Sequence, residues 1–140
     1  MCGIAGILET NGSERVTPDV LAAMRDAMVH RGPDGEGVWI SDQGNIGLAH
    51  RRLAIVDLSD KAAQPMSDGE GKAWITFNGE IYNHASLRQK LEQTGRRFRT
   101  DHSDTEVLVH GYLEWGIDGL LERLGGMYAF AIWDCGKRKL

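Results

Sequence analysis

The sequence has 140 residues, a formal net charge of −4 and a pI near 5.7, so we expect one domain and no nucleic-acid partner. No apolar run approaches the roughly 20 residues of a membrane-spanning helix, and no basic segment followed by an apolar one indicates a signal peptide. The hydrophobic content of 41% and charged content of 26% are typical of a globular protein, and we expect a cytoplasmic one.

The most unusual feature of the sequence is Cys2, which directly follows the initiator Met1. Removal of Met1 would leave one residue with a thiol and a free α-amine on the same Cα. An α-amine titrates at about 7.7–8.0, so an N-terminal residue can supply both a nucleophile and the base that activates it. Considered alone, this position favours the simpler interpretation that Met1 is retained and Cys2 has no special role. The motifs in the rest of the chain reverse that preference.

The remaining cysteine and the histidines give no sign of a metal or disulfide framework. Cys2 and Cys135 are too far apart in sequence for a CxxC pair. The five histidines show neither HxxxH nor HExxH spacing, so we predict no metal site.

The beginning of the chain predicts a buried strand, a helix and a polar loop. The apolar run 3–8, bounded by turn residues, indicates the strand. Thr17-Pro18 is a helix start, with the hydroxyl as N-cap and proline at the first helical position, and the helix should run to about His30. Its predicted buried face consists of Leu21, Met24 and Met28. Residues 30–35 contain a proline and two glycines, so we predict a loop there.

Three predicted strands follow, at 38–40, 47–50 and 53–57, with Arg51 and Arg52 between the last two. Because side chains alternate along a strand, one arginine should face inward and the other outward. A buried arginine is costly unless it meets a carboxylate, which belongs either to the protein or to a ligand. Bidentate pairing with a ligand carboxylate is a geometry that arginine favours.

Residues 73–77 predict a further strand, which leads directly into Asn78-Gly79. This pair has two interpretations. Asn-Gly after a strand is a strong hairpin signal. Alternatively, the asparagine amide and the unhindered N–H of the glycine point at one place and form an oxyanion hole.

Helices are predicted in the next part of the chain. Asn83 can cap a helix that stops at Gly95, and residues 103–106 have the sequence of a capping box for a second helix, which should end at Gly116. Asp104 would lie in the first turn of this second helix, where the helix dipole favours a carboxylate. Considered alone, Asp104 is more readily a structural residue.

The end of the chain predicts a short helix within 117–124, a strand over 127–134 and a turn at 135–138. The turn should lead into another strand that the chain does not complete. We therefore expect an unpaired apolar edge, lower stability than in a longer chain and a tendency to associate.

Seven short motifs occur in an order that resembles a known family. They are Met1-Cys2-Gly3-Ile4, His30-Arg31-Gly32-Pro33-Asp34, Leu48 to Asp57, Gln64-Pro65-Met66, Asn78 to Asn83, Ser103-Asp104-Thr105-Glu106 and Gly126 to Ala131. Together they resemble the class II glutamine amidotransferase domain of glutamine-hydrolysing asparagine synthetases, over nearly the whole chain. Each motif is weak alone, but the ordered set is specific.

The resemblance implies an α+β fold, the four-layer αββα sandwich of N-terminal nucleophile hydrolases, with two antiparallel sheets between helical layers. Residues 1–140 would form one type-2 amidotransferase domain. Because the family's domain continues further and is followed by an ATP-using synthetase domain, we expect a truncated domain without its synthetase partner. The glycine-rich SGGxDS-like loop of that partner is absent from the sequence.

The resemblance also implies roles for individual residues. Cys2 would attack the side-chain amide of glutamine, while the Asn78 amide and the Gly79 N–H would hold the oxyanion. Arg52 would bind the glutamine α-carboxylate, because the family motif is a histidine, a variable residue and then the arginine, which makes Arg51 the variable one. The other implied substrate-binding residues are Glu80 and Asp104 for the α-ammonium and the backbone of Leu53, Ala54, Ile55 and Val56.

The implied reaction is hydrolysis of L-glutamine to glutamate and ammonia through a thioester, with no cofactor. ATP and Mg would serve the synthetase domain, which makes asparagine from aspartate, and no membrane partner is implied; a homodimer is compatible. Two alternatives remain open: an amidotransferase that modifies a sugar or a peptide, and a non-catalytic remnant that binds glutamine.

Overall fold

The computed structural model describes residues 1–12, 15–55 and 58–140. It contains six strands, three helices and one 3₁₀ turn in these ranges. In chain order they are β1 (Gly3–Leu8), α1 (Pro18–Asp26), β2 (Gly35–Ile40), β3 (Ile46–Arg52), the 3₁₀ turn (Asp60–Ala62), β4 (Met66–Ser67), β5 (Ala73–Ile81), α2 (His84–Gln93), α3 (Asp104–Leu121) and β6 (Gly126–Asp134).

The strands form two antiparallel three-stranded sheets with the orders β1-β3-β2 and β4-β5-β6. Three apolar clusters lie between successive layers. One joins α1 to the first sheet (Val16, Leu21 and Ala49), one joins the two sheets (Ile46, Leu48 and Trp133), and the largest joins the second sheet to α2 and α3. The order of layers is therefore helix, sheet, sheet, helices, which confirms the predicted αββα sandwich.

Helix α1 is shorter than predicted. It begins at Pro18 as expected, but it ends at Asp26 rather than near His30. From Met28 onward, hydrogen bonds to the third preceding residue replace the α-helical pattern, and the Met28 N–H donates to the Arg25 carbonyl oxygen. The tighter winding places Met28 against Gly3, where an added Cβ would lie 2.9 Å from the Met28 Cβ.

The predicted strand 53–57 is wrong over residues 53–55, which form a loop, while residues 56–57 lie outside the described ranges. Side chains occupy the backbone donors that a ladder would use. The Leu53 N–H donates to Cys2 Sγ at 3.3 Å, and the Ala54 N–H donates to an Asp34 carboxylate oxygen at 3.0 Å. Strand β3 instead extends through Arg52.

The hairpin interpretation of Asn78-Gly79 is also wrong, because β5 continues through this pair to Ile81 and stays in register with β6. Gly79 has a φ of +154°, and an added Cβ would lie 2.2 Å from the Met127 carbonyl oxygen. The glycine thus permits a close approach of two strands rather than a turn.

Helices α2 and α3 begin where predicted, but their caps differ from the expected ones. The Asn83 side chain makes no cap; it donates to the Arg123 carbonyl and accepts from the Gly125 N–H. Ser103 accepts the Glu106 N–H at 3.4 Å, but the Glu106 carboxylate turns away from the cap. It accepts hydrogen bonds from the Arg99 N–H, the Thr100 N–H and the Thr100 hydroxyl.

The predicted stops of α2 and α3 coincide with glycines of positive φ, although helical structure resumes after Gly116 and ends at Leu121. Gly95 has a φ of +91° just after α2, and Gly116 has a φ of +71° where α3 is kinked. Residues 135–138 form a turn, closed by a bridge between Asp134 and Lys139. No helix in the described part of the chain is long and apolar enough to cross a bilayer.

His50 joins the two sheets at their centre. It is fully buried, and its Nε2 lies 3.1 Å from the Phe77 carbonyl oxygen. Burial lowers the pKa of the imidazole to about 4, because the cation would lose its hydration. His50 is therefore neutral in the folded protein at neutral pH.

This burial predicts a pH-dependent stability. The unfolded chain takes up a proton on His50 near pH 6.5 and the folded protein only near pH 4, so the free energy of unfolding should fall as the pH drops through this window. The loss should reach about 3 kcal/mol. Denaturant unfolding should show a steeper slope in the native protein than in His50→Gln, which keeps a donor for Phe77, because the titration of Glu106 adds the same slope to both proteins. An equal slope in both would contradict it.

Candidate active site

A cavity of about 200 Å³ opens at one end of the interface between the sheets. Strand β1 begins there, and β3 and the exposed part of β5 end there, so three chain segments meet around one space. The cavity is lined by Met1, Cys2, Arg52, Leu53, Ile55, Ala62, Gln64, Phe77, Asn78, Gly79, Glu80, Ser103, Asp104, Thr105 and Met127. Of the predicted site residues that the structure describes, all but Ala54 are among them.

Cys2 lies just before β1, and the register of β1 with β3 places it opposite Arg52. Its half-buried Sγ accepts the Leu53 N–H at 3.3 Å and lies 3.7 Å from the Leu53 carbonyl oxygen. The Arg31 Nε donates to the Cys2 carbonyl oxygen at 3.0 Å. Contacts on both the side chain and the backbone therefore fix the thiol at the cavity wall.

Arg51 and Arg52 lie on opposite faces of β3, as alternation predicts. Arg51 points towards the α1 side, where its guanidinium contacts Asp26 at 2.7 Å and Glu36 at 2.9 Å. Arg52 lines the cavity, and one of its guanidinium nitrogens donates to the Ser59 carbonyl oxygen at 2.9 Å. The cavity thus has a fixed positive charge at the end of β3.

The segment after β3 contributes unevenly to the cavity. Leu53 and Ile55 line it, and Ile55 is 69% exposed at its rim. Ala54 lies outside the lining, with its N–H bonded to Asp34. Val56 is beyond the described residues.

Asn78 faces the first sheet from β5. Thr76, two residues earlier on the same face, donates its hydroxyl to the Ala49 carbonyl of that sheet. The Asn78 Oδ1 is buried and has no hydrogen-bond partner in the described part of the chain. An unsatisfied buried polar atom costs stability, so a ligand in the cavity that donates a hydrogen bond to this oxygen would recover part of that cost.

Two acidic residues, Glu80 and Asp104, line the same cavity as Arg52. Glu80 is exposed, whereas Asp104 is only 6% exposed at the start of α3. The Asp104 Oδ2 accepts the Ile81 N–H at 3.1 Å. Burial raises the pKa of the Asp104 carboxyl, although this backbone hydrogen bond opposes the shift. A cation bound here would offset the cost of the buried charge.

Sequence reasoning missed several cavity residues, notably Gln64, Thr105 and Met127. The first two lie within recognised motifs, next to a proline and to Asp104, and this proximity was the available signal. Met127 also lies within a recognised motif, Gly126 to Ala131, but it reaches the cavity through the pairing of β6 with β5, which the motif does not indicate.

The cavity thus combines a thiol, one guanidinium, two carboxylates and the Asn78 amide oxygen, which has no hydrogen-bond partner in the described part of the chain. In the described ranges, no group of three or more histidine, cysteine, aspartate or glutamate residues is placed to hold a metal ion. A ligand that carries both an anionic and a cationic group would be complementary to the Arg52 guanidinium and the Asp104 carboxylate.

The comparison with protein families is decisive. A sequence profile described as a glutamine amidotransferase domain matches residues 1–140. The chain belongs to this family.

Two curated relatives of this amidotransferase domain come from Bacillus subtilis. Asparagine synthetase [glutamine-hydrolyzing] 1 is 38% identical over 136 residues, which cover 96% of this chain and 21% of that protein. Asparagine synthetase [glutamine-hydrolyzing] 2 is 41% identical over 142 residues, which cover 100% of this chain and 18% of that protein. The chain thus spans about a fifth of the length of these relatives.

A solved structure shows the same fold. The glutamine phosphoribosylpyrophosphate amidotransferase of B. subtilis, complexed with ADP and GMP, superposes with a TM-score of 0.70 at 24% identity. The match covers 94% of this chain and 35% of that chain. This likeness supports the αββα fold described above.

The close approach at Gly79 predicts a large effect of one added methyl group. Gly79→Ala should force β5 away from the Met127 carbonyl oxygen, whereas Gly95→Ala adds a methyl in open space at a similarly unfavourable φ. We expect Gly79→Ala to lower the free energy of unfolding by about 1–3 kcal/mol more than Gly95→Ala. Denaturant unfolding of the two variants measures the difference, and equal losses would contradict the prediction.

Proposed function

We propose that this domain hydrolyses the side-chain amide of L-glutamine to glutamate and ammonia. The observation that carries the proposal is that one cavity contains Cys2, Arg52, Asn78 and Asp104. These four side chains come from four separate chain segments, and they supply a nucleophile, a cation, an amide and an anion. Membership of the glutamine amidotransferase family supports the same reaction.

The reaction would begin after removal of Met1, which frees the α-amine of Cys2. The thiol transfers its proton to this amine as the sulfur attacks the amide carbon of glutamine. The carbonyl oxygen becomes an oxyanion, which the Asn78 amide and the Gly79 N–H would stabilise. Collapse of the tetrahedral intermediate returns the proton to the leaving nitrogen, releases ammonia and leaves a γ-glutamyl thioester. Water then hydrolyses the thioester to glutamate and regenerates the thiol.

The α-carboxylate and α-ammonium of glutamine would occupy the charged end of the cavity. Arg52 would pair with the carboxylate, since its guanidinium can form charge-assisted hydrogen bonds with both oxygens. Asp104, with Glu80, would hold the ammonium, whose charge would offset the desolvation of the buried Asp104 carboxylate. The side-chain amide would then extend towards Cys2.

The ammonia would serve an amide-forming reaction elsewhere in the native protein. The names of the two B. subtilis relatives support the synthesis of asparagine, and the family resemblance adds that this synthesis starts from aspartate and uses ATP. We assign ATP and Mg²⁺ to that second reaction and none of the residues of this chain to either of them. The glutaminase step needs no cofactor in the sequence of events proposed above.

Replacement of the nucleophile tests the proposal. Cys2→Ala should lower ammonia release from glutamine at least about 1,000-fold, because no other group can form the thioester. Glutamine affinity should stay within a few-fold, since the charged binding groups are untouched. Cys135→Ala, which removes the other free thiol, is the matched control and should retain activity.

The assay should use the native protein with its complete reading frame. The mass of its N-terminal peptide should show that Met1 has been removed. Undiminished ammonia release by Cys2→Ala would refute the assignment.

The neighbouring arginines give a second test. Arg52→Ala should weaken glutamine binding by about 1.5–3 kcal/mol, the usual worth of a charge-assisted hydrogen bond. Arg51→Ala should leave glutamine binding unchanged, because Arg51 faces Asp26 and Glu36 on the other side of the sheet. Calorimetric titration in the Cys2→Ala background avoids turnover, and equal effects of the two substitutions would show that β3 presents its other face.

A further inference from the structure

We propose that Gln64 is a positioning residue of this site, which holds the strand segment 78–80 at a fixed distance from the start of α3. The inference rests on the proposed glutamine hydrolysis and adds a residue to it. Gln64 would act through the groups that it holds rather than on glutamine itself.

The backbone places Gln64 beside β5. Extension of the β4–β5 register, which pairs Met66 with Ile75, puts Gln64 opposite Phe77. The intervening Pro65 has no N–H to continue the ladder. On the other side, the Gln64 carbonyl oxygen packs against Gly37 of β2, where an added Cβ would lie 2.1 Å away. The residue is therefore seated between the two sheets.

Its side-chain amide makes the connection that the backbone does not. The Gln64 Oε1 accepts the Phe77 N–H at 2.7 Å, and the Nε2 donates to the Thr105 hydroxyl at 3.1 Å. Gln64 is 8% exposed and Thr105 is 3% exposed. Water does not compete for these hydrogen bonds, because both side chains are buried. The Gln64 bridge therefore fixes β5 and α3 relative to each other.

A second connection lies on the other side of the same segment. The Ile81 N–H donates to the Asp104 carboxylate at 3.1 Å. The two connections flank residues 78–80, and both end on the first two residues of α3. Phe77 directly precedes the proposed oxyanion donors, and Thr105 directly follows the proposed ammonium acceptor, Asp104.

The geometry explains why the reaction would need the bridge. The oxyanion donors on β5 and the ammonium acceptor on α3 must contact two ends of one small substrate. An error of about 1 Å in such an arrangement can cost about 100-fold in rate. Among the hydrogen bonds of the described residues, loss of the Gln64 amide would leave that of the Ile81 N–H to join the segment to α3, and the donors would be free to move away from Cys2.

The first test uses Gln64→Met, which keeps a flexible side chain of similar length but has no amide. We expect the kcat for ammonia release to fall about 10- to 100-fold, with a smaller rise in KM. Hydrogen exchange at the Phe77 amide should also become faster, because its acceptor is gone.

The second test changes the other end of the bridge. Thr105→Val removes the acceptor and should lower kcat in the same direction, whereas Thr105→Ser keeps a hydroxyl and should restore it. Because Gln64→Met and Thr105→Val break one connection, the double variant should be little worse than Gln64→Met alone. If Gln64→Met fails to fold, the comparison of Thr105→Val with Thr105→Ser decides the question.

Thr76→Val is the matched control. It removes one buried hydrogen bond of 3.1 Å from the same strand, between the Thr76 hydroxyl and Ala49, and leaves the bridge intact. Stability should fall, but kcat should stay within about threefold of the native value.

Three results would overturn the proposal: an equal kcat loss in Thr76→Val, additive effects of Gln64→Met and Thr105→Val, or unchanged exchange at Phe77 in Gln64→Met. Failure of the proposed function would look different. The native protein would then release no ammonia from glutamine, while the exchange measurement would still report whether Gln64 holds the strand.

Discussion

The site depends on the fixed alignment of two stacked sheets. Cys2 and Arg52 belong to the first sheet, whereas Asn78 and Gly79 belong to the second, so no single element positions the cavity. Apolar side chains between the sheets supply adhesion but little directional constraint. A buried hydrogen bond at the centre of the two sheets, between the His50 ring on β3 and the Phe77 carbonyl oxygen on β5, supplies such a constraint and helps to fix which residues face each other.

Two buried carboxylates near the start of α3 show how local donors decide the fate of a charge. Burial raises the pKa of Asp104, which receives one backbone N–H from β5. Burial would also raise the pKa of Glu106, but the His110 ring, whose Nε2 lies 3.6 Å from the carboxylate, and hydrogen bonds from Thr100 and Arg99 hold it at about 2. Glu106 is thus an internally compensated structural anion. The Asp104 carboxylate is compensated less completely, since burial still raises its pKa, and Asp104 is the residue of the two that lines the cavity.

Sequence signals gave correct predictions where neighbouring residues alone determine the backbone conformation. The strand at 3–8, the start of α1, the glycines at 95 and 116 and the alternation of Arg51 with Arg52 follow from backbone geometry and side-chain period alone. Asn78-Gly79 differs, because its pairing with β6 overrides a turn preference of short range. The loop after β3 differs for a similar reason, since the carboxylate of Asp34 and the thiol of Cys2 occupy its donors.

The ordered motifs of the sequence determined the family, and the resemblance to that family implied the αββα architecture and most of the residues that line the cavity. Only the tertiary structure decided that Gln64 and Thr105 join the site, that Met127 closes on Gly79 and that Ala54 turns away. These facts depend on contacts between segments far apart in the chain. Such contacts form only when the two sheets pack on each other, and a local sequence pattern does not indicate how they pack.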